Sequence, residues 1–176
     1  LGLANFNRRF IPHYAELTKP LTEILSDKVR YIWTDKQQQA FEKIKATLSS
    51  APALGLPDFR KPFVIQSDAS DVAVGGMLYQ TGADGNPIVI GYHSKTLKKS
   101  QKNWTVTEKE FYGIKVCVEK WRVYCNNKVI FRTDHEPLKY IRKHKDSRGK
   151  IVRGILELES IDYTIEYVKG SDNTVA

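Results

Sequence analysis

Residues 61–80, KPFVIQSDASDVAVGGMLYQ, decide the fold. Phe63 to Asp68 is an apolar run closed by Ser67-Asp68, and a second run, Val72 to Gln80, follows after a short polar break. Runs of this kind read as strands, and at this spacing as an antiparallel pair. Asp84-Gly85 marks a further turn before Ile88 to Ser94, a third antiparallel strand. From about Thr107 to Tyr124 the period changes: Ile114, Cys117, Val118 and Trp121 share one helical face, with Asn126-Asn127 as its stop. Val129 to Asp134, VIFRTD, is a strand again. A strand, helix, strand succession favours parallel pairing of the flanking strands through a right-handed crossover. After Pro137, Leu138 and Ile141, then Ile151, Ile155 and Leu158, outline a broken helical region with polar turns between Lys143 and Gly149. Ile161, Tyr163, Ile165 and Tyr167 alternate with Asp162, Thr164 and Glu166, the pattern of a half-buried last strand. The expected fold is α/β, a five-stranded mixed sheet with flanking helices.

Upstream of this block, Pro52, Pro57 and Pro62 punctuate an extended stretch. Before it, Thr34 and Gln37 form a capping-box pattern ahead of Ala40, Phe41, Ile44 and Leu48, which predicts an amphipathic helix over roughly 35–49. Leu17, Leu21, Ile24 and Leu25 lie at helical spacing on either side of Pro20 and make a short N-terminal helical appendage. The divisions are therefore 1–30, 31–60 and 61–176.

The 176 residues, 41% of them hydrophobic, suffice for a real core. There is no apolar run of membrane-spanning length, and LGLANFNRRF lacks the pattern of a secretory signal. An intracellular protein with no membrane partner is expected, and the start reads as an internal cut from something longer. Cys117 and Cys125 fall within one apolar helical pattern, as buried thiols do. The net charge of +8 suits a polyanionic partner, and equally a merely soluble surface.

Ser67-Asp68 and Thr133-Asp134 each close an apolar strand, and those strands are expected to be parallel neighbours. Their carboxylates then meet at one edge, where ligand crevices form in such sheets. Glu110 lies four residues before Ile114 and seven before Cys117, on the face that packs against the sheet, whereas Glu108 points away with Lys115. Structural readings compete. Thr107 with Glu110 is itself a capping-box pattern, as is Thr105 with Glu108, and a lone aspartate past a strand is commonly a turn residue. If Thr105 is the cap, Glu110 is released to face the sheet. Convergence of all three acids is what favours a site. Clustered carboxylates need cations to stay ionised, and hard divalent ions such as Mg²⁺ prefer oxygen ligands.

These residues resemble the reverse transcriptase and ribonuclease H region of gypsy-type LTR retrotransposons, and the resemblance runs over essentially the whole chain. LGLANFNRRFIPHYAELTKPL is similar to the end of the polymerase portion, and WTDKQQQAFEKIKATLSSAPAL to the linking helix. KPFVIQSDAS, VTEKEF and FRTDHEPLKY are similar to successive ribonuclease H motifs. The resemblance implies a ribonuclease H-like fold whose metal-binding, catalytic acids match Asp68, Glu110 and Asp134. It implies two Mg²⁺ or Mn²⁺ ions and cleavage of the RNA strand of an RNA·DNA hybrid. The partners would be that hybrid and the polymerase portion of the same polyprotein, in the cytoplasm, a virus-like particle or the nucleus, with monomer and dimer both open. The family pattern carries a fourth acid and a final helix beyond the match to YVKGSDNTVA. The expectation for this stretch alone is therefore weak or absent activity, with Asp172 matching the preceding loop rather than the fourth acid. A non-catalytic connection domain of the same fold is the alternative.

For holding a hybrid, Lys139, Arg142, Lys143, Lys145, Arg148, Lys150 and Arg153 stand against one acid, Asp146. They read as phosphate contacts or as a solvated surface, and Lys98, Lys99 and Lys102 extend them. Contacts to 2′-hydroxyls are expected near Asn103, Thr107 and the backbone at Gly75-Gly76, unless those glycines form a bulge. Trp104 reads as a stacking residue or a hydrophobic anchor, and His135 as a strand-end hydrogen-bonding partner.

Overall fold

The computed structural model describes residues 1–26, 29–50, 54–126, 128–138 and 150–169. Its strands are β1 (Phe63–Ala69), β2 (Ala73–Thr81), β3 (Pro87–Thr96), β4 (Val129–Thr133) and β5 (Tyr163–Tyr167). Its α-helices are α1 (Gly2–Phe6), α2 (Tyr14–Glu23), α3 (Asp35–Ser49), α4 (Val106–Lys120) and α5 (Lys150–Leu158). The strands form one sheet in the order β3-β2-β1-β4-β5. β1 pairs antiparallel with β2, β2 antiparallel with β3, and β4 parallel with both β1 and β5. This is the expected mixed sheet, but the strands flanking α4 do not pair: α4 crosses from β3 at one edge to β4, which lies parallel to β3 and pairs with β1 because β2 and β1 fill the space between.

The element ends differ from the sequence pattern by a few residues, for local reasons. α4 stops at Lys120 instead of running to Tyr124, because the chain tightens into a 3₁₀ turn over Arg122–Tyr124. β5 begins at Tyr163: the apolar Ile161 closes a turn, its amide N–H donating a hydrogen bond to the Leu158 carbonyl at 2.9 Å. The irregularity in the β2–β3 ladder sits between Leu78 and Tyr79, not at Gly75-Gly76. Gly76 answers to close approach instead, since a Cβ there would stand 2.5 Å from Cys117 Sγ and 2.8 Å from the Gln66 carbonyl.

The main core fills the space between the sheet and α4 and α5, with Phe63, Ile65, Leu78, Ile114, Phe131 and Leu138 fully buried. Cys117 and Cys125 are buried free thiols within it. The opposite face carries a smaller cluster of Val64, Met77 and Tyr79, where Arg132 Nη1 donates to the Tyr79 hydroxyl at 2.7 Å. α1, α2 and α3 form their own core through Ala4, Leu21, Ala40 and Ile44, and α2 also lies against β3. Thr34 caps α3 by the expected box with Gln37. No helix among the described residues is long and apolar enough to cross a membrane.

Candidate metal centre

β1 and β4 run parallel in the register Phe63↔Val129 to Gln66↔Arg132. Two further residues along each strand come Asp68 and Asp134, so the pairing itself brings these acids side by side. The third acid depends on how α4 begins. Thr105 is the cap: its hydroxyl accepts from the Glu108 amide at 3.2 Å, and Glu108 Oε2 accepts from the Thr105 amide at 2.9 Å. That arrangement occupies Glu108 and turns Glu110, two residues on, toward the sheet. Asp68, Glu110 and Asp134 each offer a carboxylate oxygen within 4.8 Å of the others.

Glu110 is only 4% exposed, and its Oε2 is buried with no hydrogen-bond partner. Burial, followed by the Asp68 and Asp134 charges, pushes its carboxyl up to about 8. Burial and then Asp134 also raise Asp68, against the pull of an Ala69 backbone hydrogen bond. A buried oxygen without a donor beside two further carboxylates lacks positive charge, and an oxygen-preferring divalent cation supplies it. The three acids therefore fit a metal of that kind.

Around them, Thr107 Oγ1 is 2.7 Å from His135 Nε2, and the His135 amide donates to Thr133 Oγ1 at 3.1 Å. His135 thus ties the end of β4 to the first turn of α4. Asn103, Lys98, Lys99 and Lys102 are exposed in and beside the loop entering α4. Trp104 meets Tyr112 edge to face at 5.4 Å, as an anchor does. Lys139, Arg142, Lys143, Lys145 and Arg148 lie outside the described residues, as does Asp172, and the side chains of Lys150 and Arg153 are likewise not described.

Two features escape a reading by pattern. Lys109, with a side chain 9% exposed, donates to Asp71 Oδ1 at 2.7 Å, joining α4 to the β1–β2 turn. Glu16 in α2 accepts a hydrogen bond from Ser70 Oγ in the same turn. A cleft of about 560 Å³ opens between His13, Glu16, Lys43, Asp68 and Ser70. Glu16 and Ser70 are 54 residues apart, and neither belongs to a periodic pattern that would pair them.

A mixed sheet in this order, with acids at the ends of its adjacent parallel strands and on the crossover helix, defines a ribonuclease H-like domain. Residues 33–131 match the family described as the RNase H-like domain found in reverse transcriptase, and the chain belongs to that family. It is 37% identical over 179 residues to the retrovirus-related Pol polyprotein from transposon 297 of Drosophila melanogaster, covering all of this chain and 16% of that protein. It is 36% identical over 187 residues to the transposon Tf2-3 polyprotein of Schizosaccharomyces pombe, covering all of this chain and 14% of the relative. The chain thus spans only a small part of these relatives. Among solved structures, a foamy viral protease-reverse transcriptase in complex with dsDNA superposes with a TM-score of 0.76 at 22% identity, over 96% of this chain and 37% of the other. A foamy viral protease-reverse transcriptase in complex with an RNA/DNA hybrid gives 0.73 at 22% identity, over 96% and 24%. At this identity the likeness concerns the fold.

Proposed function

We propose that this chain is the ribonuclease H part of a gypsy-type Pol polyprotein and hydrolyses the RNA strand of RNA·DNA hybrids at internal bonds during reverse transcription, inside the cell. The observation that carries the reading is the meeting of Asp68, Glu110 and Asp134 within 4.8 Å, with Glu110 Oε2 buried and partnerless. A non-catalytic spacer has no use for that burial, whose cost falls on a charged carboxylate. Two divalent ions, Mg²⁺ or Mn²⁺, bound by these residues would supply an activated water and stabilise the leaving oxygen of a phosphodiester. The chain's own task is to hold the three carboxylates at fixed spacing. The parallel register fixes Asp68 against Asp134, the Thr105 cap aims Glu110, and the Thr107–His135 contact holds the loop after β4 against α4.

Residues 1–30 are assigned to the end of the polymerase portion, 31–60 to the linker, and 61–176 to the nuclease domain. The hybrid would lie along Asn103 and Thr107 and the basic residues Lys139, Arg142, Lys143, Lys145 and Arg148. Phosphate contacts would position it, and 2′-hydroxyls would mark the strand to be cut. Three exposed lysines beside Asn103 support this path, as does the fold shared with a reverse transcriptase that binds an RNA/DNA hybrid.

The test supplies Mg²⁺ or Mn²⁺ and a labelled hybrid to the chain extended by the C-terminal segment that carries the family's fourth acid, and to the Asp68→Asn and Asp134→Asn variants of that extended chain. Cleavage by the wild type and its loss in both variants is expected. Equal cleavage by all three overturns the site. Salt-sensitive hybrid binding without cleavage by any of them overturns the enzymatic reading in favour of a non-catalytic connection domain.

A further inference from the structure

We infer that Glu16, in the N-terminal helix α2, is a positioning residue for the metal centre, acting by holding the β1–β2 turn that follows Asp68. The inference rests on the reading of Asp68, Glu110 and Asp134 as metal ligands.

The sheet register sets Asp68 opposite Gly75, and Gly75 opposite Ser94, so the three form one row across β1, β2 and β3. α2 docks on that row: the Ala15 amide donates to Ser94 Oγ at 2.8 Å. The next residue, Glu16, accepts the Ser70 hydroxyl proton. Ser70 is the hub of the β1–β2 turn. Its hydroxyl accepts from the Val72 and Ala73 amides at 3.2 and 3.1 Å, and its own amide donates to the Ala73 carbonyl at 2.9 Å. One residue further, Asp71 is gripped by the buried Lys109 from the helix that carries Glu110.

The turn is therefore clamped from both sides, by α4 through Lys109 and by the appendage through Glu16. Asp68 stands two residues before Ser70, so slack in the turn passes directly to its carboxylate. Metal ligands must be held to within roughly 0.5 Å, and that tolerance gives a remote clamp its leverage. The backbone beside Glu16 carries strain consistent with a fixed geometry: His13, which precedes α2, sits at φ 50°, a left-handed conformation that a non-glycine residue adopts only when its surroundings impose it. His13, Glu16 and Asp68 then line the same cleft. The helical appendage is thus part of the site's support as well as a neighbour of the nuclease fold.

The experiment is a Mn²⁺ titration of the metal-free protein, read by the electron paramagnetic resonance of free Mn²⁺, with melting temperature measured on each sample. Glu16→Ala and Ser70→Ala are each expected to weaken Mn²⁺ binding about tenfold, the lower end of what supporting residues around metal ligands contribute. Glu16→Gln, whose amide oxygen still accepts the Ser70 proton, is expected to restore binding. The double alanine variant should be no weaker than Ser70→Ala alone, because Ser70→Ala already removes the contact to Glu16. Asp68→Asn should abolish tight binding. Wild-type affinity in Glu16→Ala and Ser70→Ala alongside loss in Asp68→Asn overturns the role of Glu16 and leaves the metal centre standing. Wild-type affinity in Asp68→Asn overturns the metal centre itself. Equal weakening by Glu16→Gln and Glu16→Ala overturns the hydrogen-bonded clamp.

Discussion

Glu110 combines burial with two acidic neighbours, and its behaviour with pH follows from that. Its folded value of about 8 lies above its unfolded value near 4.5, so between these limits the metal-free folded state binds more protons than the unfolded one. The contribution of Glu110 to stability without metal is then fully present below about pH 4.5 and is lost as pH rises toward 8, by at most ~1.4 kcal/mol per pH unit. Urea denaturation in the presence of a chelator should show this fall, and Glu110→Gln should flatten it. An unchanged slope in the variant would contradict the buried environment assigned to Glu110. His93 acts with the opposite sign. Burial, then Lys120, Arg8 and Lys95, lowers it to about 4, so its neutral form is the one the fold accepts. Stability should be lost as pH falls from about 6.5 toward 4, and His93→Gln should reduce that loss in the same experiment. Helical spacing favours Glu110 over Glu108 as the acid facing the sheet, because its position relative to Ile114 and Cys117 is a matter of periodicity. The choice between the Thr105 and Thr107 caps is open in the sequence, since both patterns obey the same spacing rule. Only the geometry of the helix start separates them.

α4 is the element that joins the core to the site, and its role at each is testable. Thr105→Ala removes the cap and should lower stability by about 1 kcal/mol, measured as a shift in the urea midpoint. It should also weaken divalent-ion binding, because Glu108 and Glu110 are then no longer held apart. On the core side, Gly76→Ala drives a methyl group against Cys117 Sγ and the Gln66 carbonyl, and pushing α4 from the sheet should cost about 1–3 kcal/mol. A neutral midpoint for Gly76→Ala would contradict the close approach. The five strands and the helices over 35–49 and at α4 can be read from the sequence because alternation and helical spacing report which face is buried. Their ends cannot, since Trp121 and Ile161 are apolar residues that close turns, and hydrophobicity alone assigns them to the neighbouring element.

Across the molecule, the sheet brings together acids that stand 66 residues apart in the chain, and the parallel register of β1 and β4 is what does so. That convergence is foreseeable from two strands each ending in a hydroxyl residue and an aspartate. The docking of α2 on the row Asp68, Gly75 and Ser94 is not, because a helix with its own apolar core gives no sign in its sequence of which polar edge it will meet. For hybrid binding, the expectation is a steep salt dependence to which Arg142, Lys143 and Lys145 contribute. Neutralising the three should lower the slope of log affinity against log salt by about 0.9 for each phosphate they pair with, taking a duplex of DNA-like charge density. An unchanged slope would remove that stretch from the interface. The most direct measurement for the whole is anomalous diffraction from crystals of the protein soaked in Mn²⁺. A metal peak bounded by the carboxylates of Asp68, Glu110 and Asp134 is expected. Manganese found only elsewhere, with these three side chains bare, would contradict the metal centre on which the nuclease reading depends.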